Sequence, residues 1–256
     1  MWKSVRYLAA LSVAVFLISV SAHADTSTPS ALADALADPR RPAEQVSLDA
    51  ARKPAPLISF ARLKRGDRVA DFMPGNAYFT RIMSAVVGDT GHVYAFLPTE
   101  QLMNCSPQEV AGTRLLEHDP TYANVSVLSD ATANFRVPQK LDLIWTAQNY
   151  HDLHDAFMGP ADVARLNKRF FDALKPGGIY LVIDHAAETG SGLRDTDSLH
   201  RIDPTRLQRE IEVAGFVFDA QSNVLRNPLD DHKSSVFDSR VRGRTDQVVY
   251  RFRKPG

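Results

Sequence analysis

From Asp67 onward, short apolar segments alternate with stretches of helical spacing, and this alternation limits what the chain can fold into. Arg68 to Met73, His92 to Leu97, Asn124 to Leu128, Leu141 to Thr146 and Ile179 to Ile183 read as strands. Between them, Tyr78–Val87, Val110–Glu117 and Ala161–Leu174 have helical spacing. Thr205–Ala214 follows as a helix closed by Gly215, and 216–224 with 247–253 form a last strand pair. Leu141–Thr146 is continuously apolar, as in strands buried on both faces. Strands alternating with helices of this length predict an α/β fold, a mostly parallel sheet of about seven strands with helices on both faces. The last strand is expected to be antiparallel.

The first residues stand apart from this pattern. Lys3 and Arg6 precede an apolar run, Tyr7–Val20, which ends at Ala22-His23-Ala24. A positive start, a short apolar middle and a small-x-small end are the signs of a secretory signal peptide. Cleavage near Ala24 makes 1–24 the leader, 25–55 an N-terminal tail with a lead-in helix, and 56–256 the main domain. The expected location is periplasmic or secreted. Both leader charges are basic, so the mature chain carries 28 basic and 30 acidic side chains. That balance argues against a nucleic-acid partner, and no membrane association is expected after cleavage. Cys105 is the single cysteine, which excludes an internal disulfide.

In open parallel sheets, ligands bind beyond the carboxyl ends of the strands, where strand order reverses. The turn after the first strand, Asp71-Phe72-Met73-Pro74-Gly75-Asn76-Ala77-Tyr78, is therefore the first candidate site. Small residues there let backbone amides approach a ligand. A nicotinamide dehydrogenase would need G-x-G-x-x-G and an acid closing the second strand, and neither is present.

This turn resembles the first motif of class I S-adenosylmethionine-dependent methyltransferases. Asp71 stands for the acid and Gly75 for the central glycine, while Met73 and Ala77 occupy the outer glycine positions. Leu174-Lys175-Pro176-Gly177-Gly178 before the fifth strand matches a frequent family signature. The stretches 74–81, Asn149-Tyr150-His151-Asp152, His200-Arg201-Ile202-Asp203 and 242–247 are similar to a group of exported bacterial predicted methyltransferases. The resemblance implies a Rossmann-like fold, S-adenosylmethionine as cofactor and a small-molecule acceptor. It further implies cofactor contacts at Asp71, Gly75, Asn76, Ala77, Tyr78, Asp130, Ala131 and Asn149. The family's second strand ends in an acid that holds the ribose. Here Glu100 is the candidate, with a plain loop charge as the alternative. Arg52 is a candidate for the cofactor carboxylate, with a surface charge as the alternative.

Most mature histidines fall in loops at the predicted site edge. His151, Asp152, His154 and Asp155 follow the fourth strand. Asp184, His185 and His200 belong to the loop after the fifth. Histidine ionises near neutral pH and so suits a general base. His151 is the first candidate, with Tyr150 and Asp152 beside it as catalytic residues. His154, Asp184, His185 and His200 are substrate-side candidates, and Arg201 and Asp203 are read as structural. The histidines and aspartates are also of metal-ligating types, but no known ligand spacing is matched and none is assigned to a metal. A non-catalytic binding module and a metal-dependent enzyme on the same fold remain alternatives.

Overall fold

A computed structural model describes residues 29–256. The leader lies outside the described residues. Seven strands form one sheet: β1 (Arg68–Phe72), β2 (His92–Pro98), β3 (Val125–Asp130), β4 (Leu141–Ala147), β5 (Leu174–His185), β6 (Val217–Gln221) and β7 (Gln247–Arg253). Their order is β3-β2-β1-β4-β5-β7-β6. The first five pair in parallel, and β7 runs antiparallel to both β5 and β6. The predicted antiparallel last strand is thus present, and β7 has the bounds read from the sequence.

The helices are α1 (Pro29–Leu36), α2 (Ala43–Val46), α3 (Asp49–Arg52), α4 (Pro54–Phe60), α5 (Tyr78–Val87), α6 (Thr99–Asn104), α7 (Pro107–Leu116), α8 (Val163–Ala173), α9 (Thr196–Leu199) and α10 (Pro204–Val213). Period-two alternation along the strands divides the core into two layers. Val69, Leu143, Trp145 and Leu181 face the layer that holds Leu57, Ile58, Ile82 and Met83 of α4 and α5. Ala70, Phe72, Ile144 and Tyr180 face the layer that holds Leu166, Phe170 and Ile211 of α8 and α10. In this second layer Phe72, Phe135 and Phe170 meet edge to face, with ring centroids 4.7 to 6.0 Å apart. Such pairs add about 0.5–1.5 kcal/mol each beyond simple burial.

The stretch read as a tail is partly helical from Pro29 on. Leu32, Ala35 and Leu36 share one face, and Leu32 and Ala35 are buried in the core layer of α5. Spacing of three and four residues gives α1 that apolar stripe. Arg41 then pairs with Asp49, and Asp49 accepts a 2.6 Å hydrogen bond from Tyr78 Oη. Two further readings shift. Glu100 was expected in a loop, but Thr99–Asn104 is helical. Lys175–Gly178 bulges out of β5, because Leu141 pairs with Leu174 and Leu143 already pairs with Ile179. Gly177 sits at φ +77°, and hydrogen bonds between Gly177–Gly178 and Lys254 pin the bulge.

Strand order reverses at β1, whose neighbours β2 and β4 lead to opposite halves of the sheet. The turn after β1 therefore opens into the crevice between them. Helix α7 closes on this turn at Gly112, where an added Cβ would lie 2.4 Å from the Asn76 carbonyl oxygen. Backbone cannot yield there as a flexible side chain would. Gly112→Ala should therefore lower stability by about 1–3 kcal/mol in urea unfolding, whereas alanine at Gly177, with open space around its Cβ, should cost only the left-handed strain of about 1 kcal/mol.

Candidate functional site

Period two places Asp71 on the same face of β1 as Val69, toward α5. Its carboxylate accepts a 2.6 Å hydrogen bond from Thr80 Oγ1 of that helix and is buried. Burial pushes its pKa up to about 7, and the Thr80 bond only partly offsets this. Asp71 thus braces the start of α5 from beneath the turn.

The turn itself keeps a glycine-type backbone where the outer glycines are missing. Met73, Gly75 and Ala77 have φ of 56°, 55° and 62°. Left-handed geometry costs a residue with a side chain roughly 1–2 kcal/mol, so neighbours must hold it. Thr113 Oγ1 donates to the Gly75 carbonyl at 2.8 Å, and Gln45 Nε2 and Arg81 Nη1 donate to the Asn76 carbonyl at 2.7 and 2.8 Å. Asn76 Oδ1 accepts from the Gly112 amide at 2.7 Å. At the facing strand end, Gln148 is left-handed too, with φ 62°.

Over this turn lies a cleft of about 640 Å³, walled by Gly75, Asn76, Gln45, Arg52, Gln101 and Asn149 among others. Three residues of its wall, Gln45, Gln101 and Asn149, each hold a side-chain amide oxygen that is buried without a partner among the described residues. Asn149 Nδ2 is spent on the Phe72 and Met73 carbonyls at 3.1 and 3.0 Å, which fixes the direction of its oxygen. Arg52 lies 4.7 Å above the Tyr78 ring and pairs with no carboxylate among the described residues. Burial draws its pKa below the usual arginine value. A guanidinium that lines this cleft without a carboxylate partner among the described residues suits a ligand that carries a carboxylate.

The predicted adenine and ribose residues turn elsewhere. Both Glu100 oxygens accept from the Thr132 amide at 3.0 Å. Asp130 accepts from the Ala131 amide and Asn134 Nδ2 at 2.8 and 3.0 Å. None of Glu100, Asp130 and Ala131 lines the cleft; besides Asp152, Glu44 of α2 is the carboxylate that does.

A second lobe of about 720 Å³ adjoins the first, sharing Arg52, Gly75, Gln148 and Asp152, and is lined by His151, His185 and His200. A 3₁₀ turn, His151–His154, follows β4 and carries His151 inward. Its Nδ1 lies 2.8 Å from Asp184 Oδ1, and its amide donates to Asp184 Oδ2 at 2.7 Å. Its Nε2 lies 3.1 Å from Asp152 Oδ1 and 3.3 Å from His200 Nδ1. Burial opposes charge on His151, but Asp184 and Asp152 outweigh it and hold its pKa well above the usual histidine range. A protonated ring has no lone pair for a substrate proton, so this arrangement departs from the general base expected of His151. Burial also penalises the Asp152 carboxylate, yet hydrogen bonds from His151 and His200 keep its pKa below the usual range. His185 is a neutral neighbour. Burial lowers its pKa to about 4, and its Nδ1 bonds Thr245 Oγ1 at 2.7 Å.

Tyr150 and His154 leave the cleft altogether. Tyr150 is buried in the second core layer, with its hydroxyl between Glu210 and Asn167. His154 Nε2 bonds Glu210 Oε2 at 3.1 Å and lines a separate 430 Å³ pocket between α8 and α10. Arg201 and Asp203 serve the structure, as read. Arg201 is fully buried and bidentate to Asp230, and Asp203 caps α10 and accepts from the Gly190 and Gly192 amides. No sequence pattern marks Gln45 or Gln101 as a site residue, since glutamine in a helix carries no motif. Gln148 has one signal, its place directly after a buried strand.

No protein-family model matches the sequence, and no curated protein does. Solved structures match the fold. A SAM-dependent methyltransferase from Aquifex aeolicus is 17% identical, with a TM-score of 0.54 over 84% of this chain and 98% of that one. An S-adenosylmethionine-dependent methyltransferase from Mesorhizobium loti is 18% identical, with a TM-score of 0.56 over 80% and 99%. The chain has the class I methyltransferase fold. The fold does not dictate the reaction, since the cyclase SpnF also matches, at 15% identity and TM-score 0.57 over 88% and 92% of the two chains.

The buried Asp71 gives the site a measurable pH dependence. Its pKa of about 7 in the fold compares with about 3.9 in an unfolded chain. Between these values the unfolded state gives up the proton more readily, so this group lowers stability as pH rises from about 4 to about 7. Asp71→Asn should remove that fall. Unfolding free energies from denaturant titration should match the parent near about pH 4 and exceed it near about pH 8, by on the order of a few kcal/mol.

Proposed function

We propose that this protein is an S-adenosylmethionine-dependent methyltransferase for a small-molecule acceptor, exported after cleavage near Ala24. The observation that carries the reading is the Arg52 guanidinium, without a carboxylate partner among the described residues, set in the crevice over the turn after β1. The described residues contain no helix long and apolar enough to cross a membrane. The cofactor, when bound, supplies a methyl group on a positively charged sulfur.

The residues fit such a group in part. Arg52 would hold its carboxylate, with Asn149, Gln45 and Gln101 lining the cleft around it. The turn at Gly75 and Asn76 forms the floor beneath it. Asp152 borders both lobes and faces the acceptor, orienting a donor hydrogen of the substrate. His151 is a positioning residue, held by Asp184 and holding Asp152 in turn. Holding the acceptor in line supplies much of the rate in such a displacement.

Glu100 and Asp130 are committed to their own loops, and this favours one second reading: a binding module without turnover. Calorimetric titration of the purified protein with S-adenosylhomocysteine tests both. Binding in the micromolar range is expected, weakened at least about tenfold in Arg52→Ala at unchanged melting temperature. No binding by folded protein near about 1 mM ligand would sink both readings. Binding with no methyl transfer to any of a panel of hydroxyl and amine acceptors would select the module.

A further inference from the structure

In the second lobe, three donor atoms from two separate loops converge. His151 Nε2 lies 3.1 Å from Asp152 Oδ1 and 3.3 Å from His200 Nδ1, and the third side, His200 Nδ1 to Asp152 Oδ1, is 3.6 Å. Ligands bound about 2.1 Å from a tetrahedral ion stand about 3.4 Å apart. The observed triangle has that size. Two imidazole nitrogens aimed at each other need something positive between them, a shared proton or a metal ion.

The surroundings match what a metal-bound histidine requires. Such a histidine gives its other ring N–H to a carboxylate, which fixes its tautomer and orientation. Asp184 does this for His151 Nδ1 at 2.8 Å, and is itself fixed by the amides of His151 and His185 at 2.7 and 2.8 Å. His200 is held in a left-handed backbone conformation, φ 54°, with its ring against Phe237 at 4.8 Å. Strain of this kind persists only where the surroundings enforce it, and it gathers at functional positions. Asp152 and His200 keep 17% and 28% side-chain exposure toward the lobe, so the triangle has an open side.

We propose that His151, Asp152 and His200 form a binding site for a divalent transition-metal ion of the Zn²⁺ class, open to the cleft. Two imidazoles and one carboxylate suit such an ion, whereas Mg²⁺ and Ca²⁺ favour oxygen ligands alone. The ion takes the place of a proton at His151 Nε2. Its open positions accept an oxygen ligand, either water or the hydroxyl of an acceptor. The site rests on its own geometry and does not depend on the cofactor reading.

The test is calorimetric titration of chelator-treated protein with Zn²⁺, paired with the visible absorption of added Co²⁺. One ion per chain should bind at micromolar or tighter affinity, and Co²⁺ should show the intense visible band of a low-coordinate site. His200→Ala and Asp152→Ala should each weaken binding at least about tenfold. Asp184→Asn, which leaves the three ligands in place, should weaken it about 10- to 100-fold. His154→Ala, outside the triangle, should bind as the parent does. All variants are compared by melting temperature without metal, and the half-exposed His200 is the change least able to disturb folding. The proposal fails if folded protein binds no Zn²⁺ near about 1 mM, or if His200→Ala and Asp152→Ala bind as tightly as the parent. S-adenosylhomocysteine titrated into the metal-free protein reports on the cofactor reading alone, so the two proposals stand or fall separately.

Discussion

Asp184 sits fully buried near the end of β5, where an isolated carboxylate would cost many kcal/mol. It persists because three donors converge on it: the His151 amide, the His151 ring and the His185 amide. Two of the three come from the loop after β4, so satisfying this one charge ties neighbouring strand ends together. The charge then passes outward. His151 carries the compensating proton, Asp152 answers His151, and His200 stands beside Asp152. In a low-dielectric interior such a chain is strongly directional. Arg201 anchors the far end, because its bidentate pair with Asp230 and its bonds to the Ala186 and Ser234 carbonyls hold the residue next to His200. The second lobe is therefore arranged around one desolvated carboxylate.

The first lobe depends on the sheet instead. Strand order reverses at β1, so the turn after it faces an open crevice, and helices α2, α3, α6 and α7 supply much of the remaining wall. Methyltransferases and a cyclase share this scaffold. Arg52, Gln45 and Gln101, which line this crevice, sit on helices outside the sheet.

Periodicity carried most of the architecture. β1, β2, β4 and β5 each left a run of buried apolar residues, and β7 could be bounded to the residue. The lead-in segment was harder, because its short helices are stabilised by docking on α5 and on Tyr78 and not by their own length. The bulge in β5 reads as a turn because Pro176 and Gly177 look alike in either setting. In the site, the gathering of His151, Asp152, Asp184, His185 and His200 followed from loops that open on one edge. Their roles did not follow. Nothing in Asn149-Tyr150-His151-Asp152 says that Tyr150 points into the core while Asp152 points out. Nor does the sequence around Glu100 reveal that Thr132, thirty-two positions on, occupies its carboxylate.

The turn after β1 differs from a glycine-rich one in how it keeps its shape. Glycine at every left-handed position would let the loop form unaided. Here Met73 and Ala77 resist that conformation, and it stands because Thr113, Arg81 and Gln45 grip its carbonyls while Gly112 of α7 presses against it. The floor of the cleft thus comes into being only after α7 and the lead-in helices have docked. Its assembly is cooperative with the whole domain, and a partly folded chain has no residual binding surface at this place.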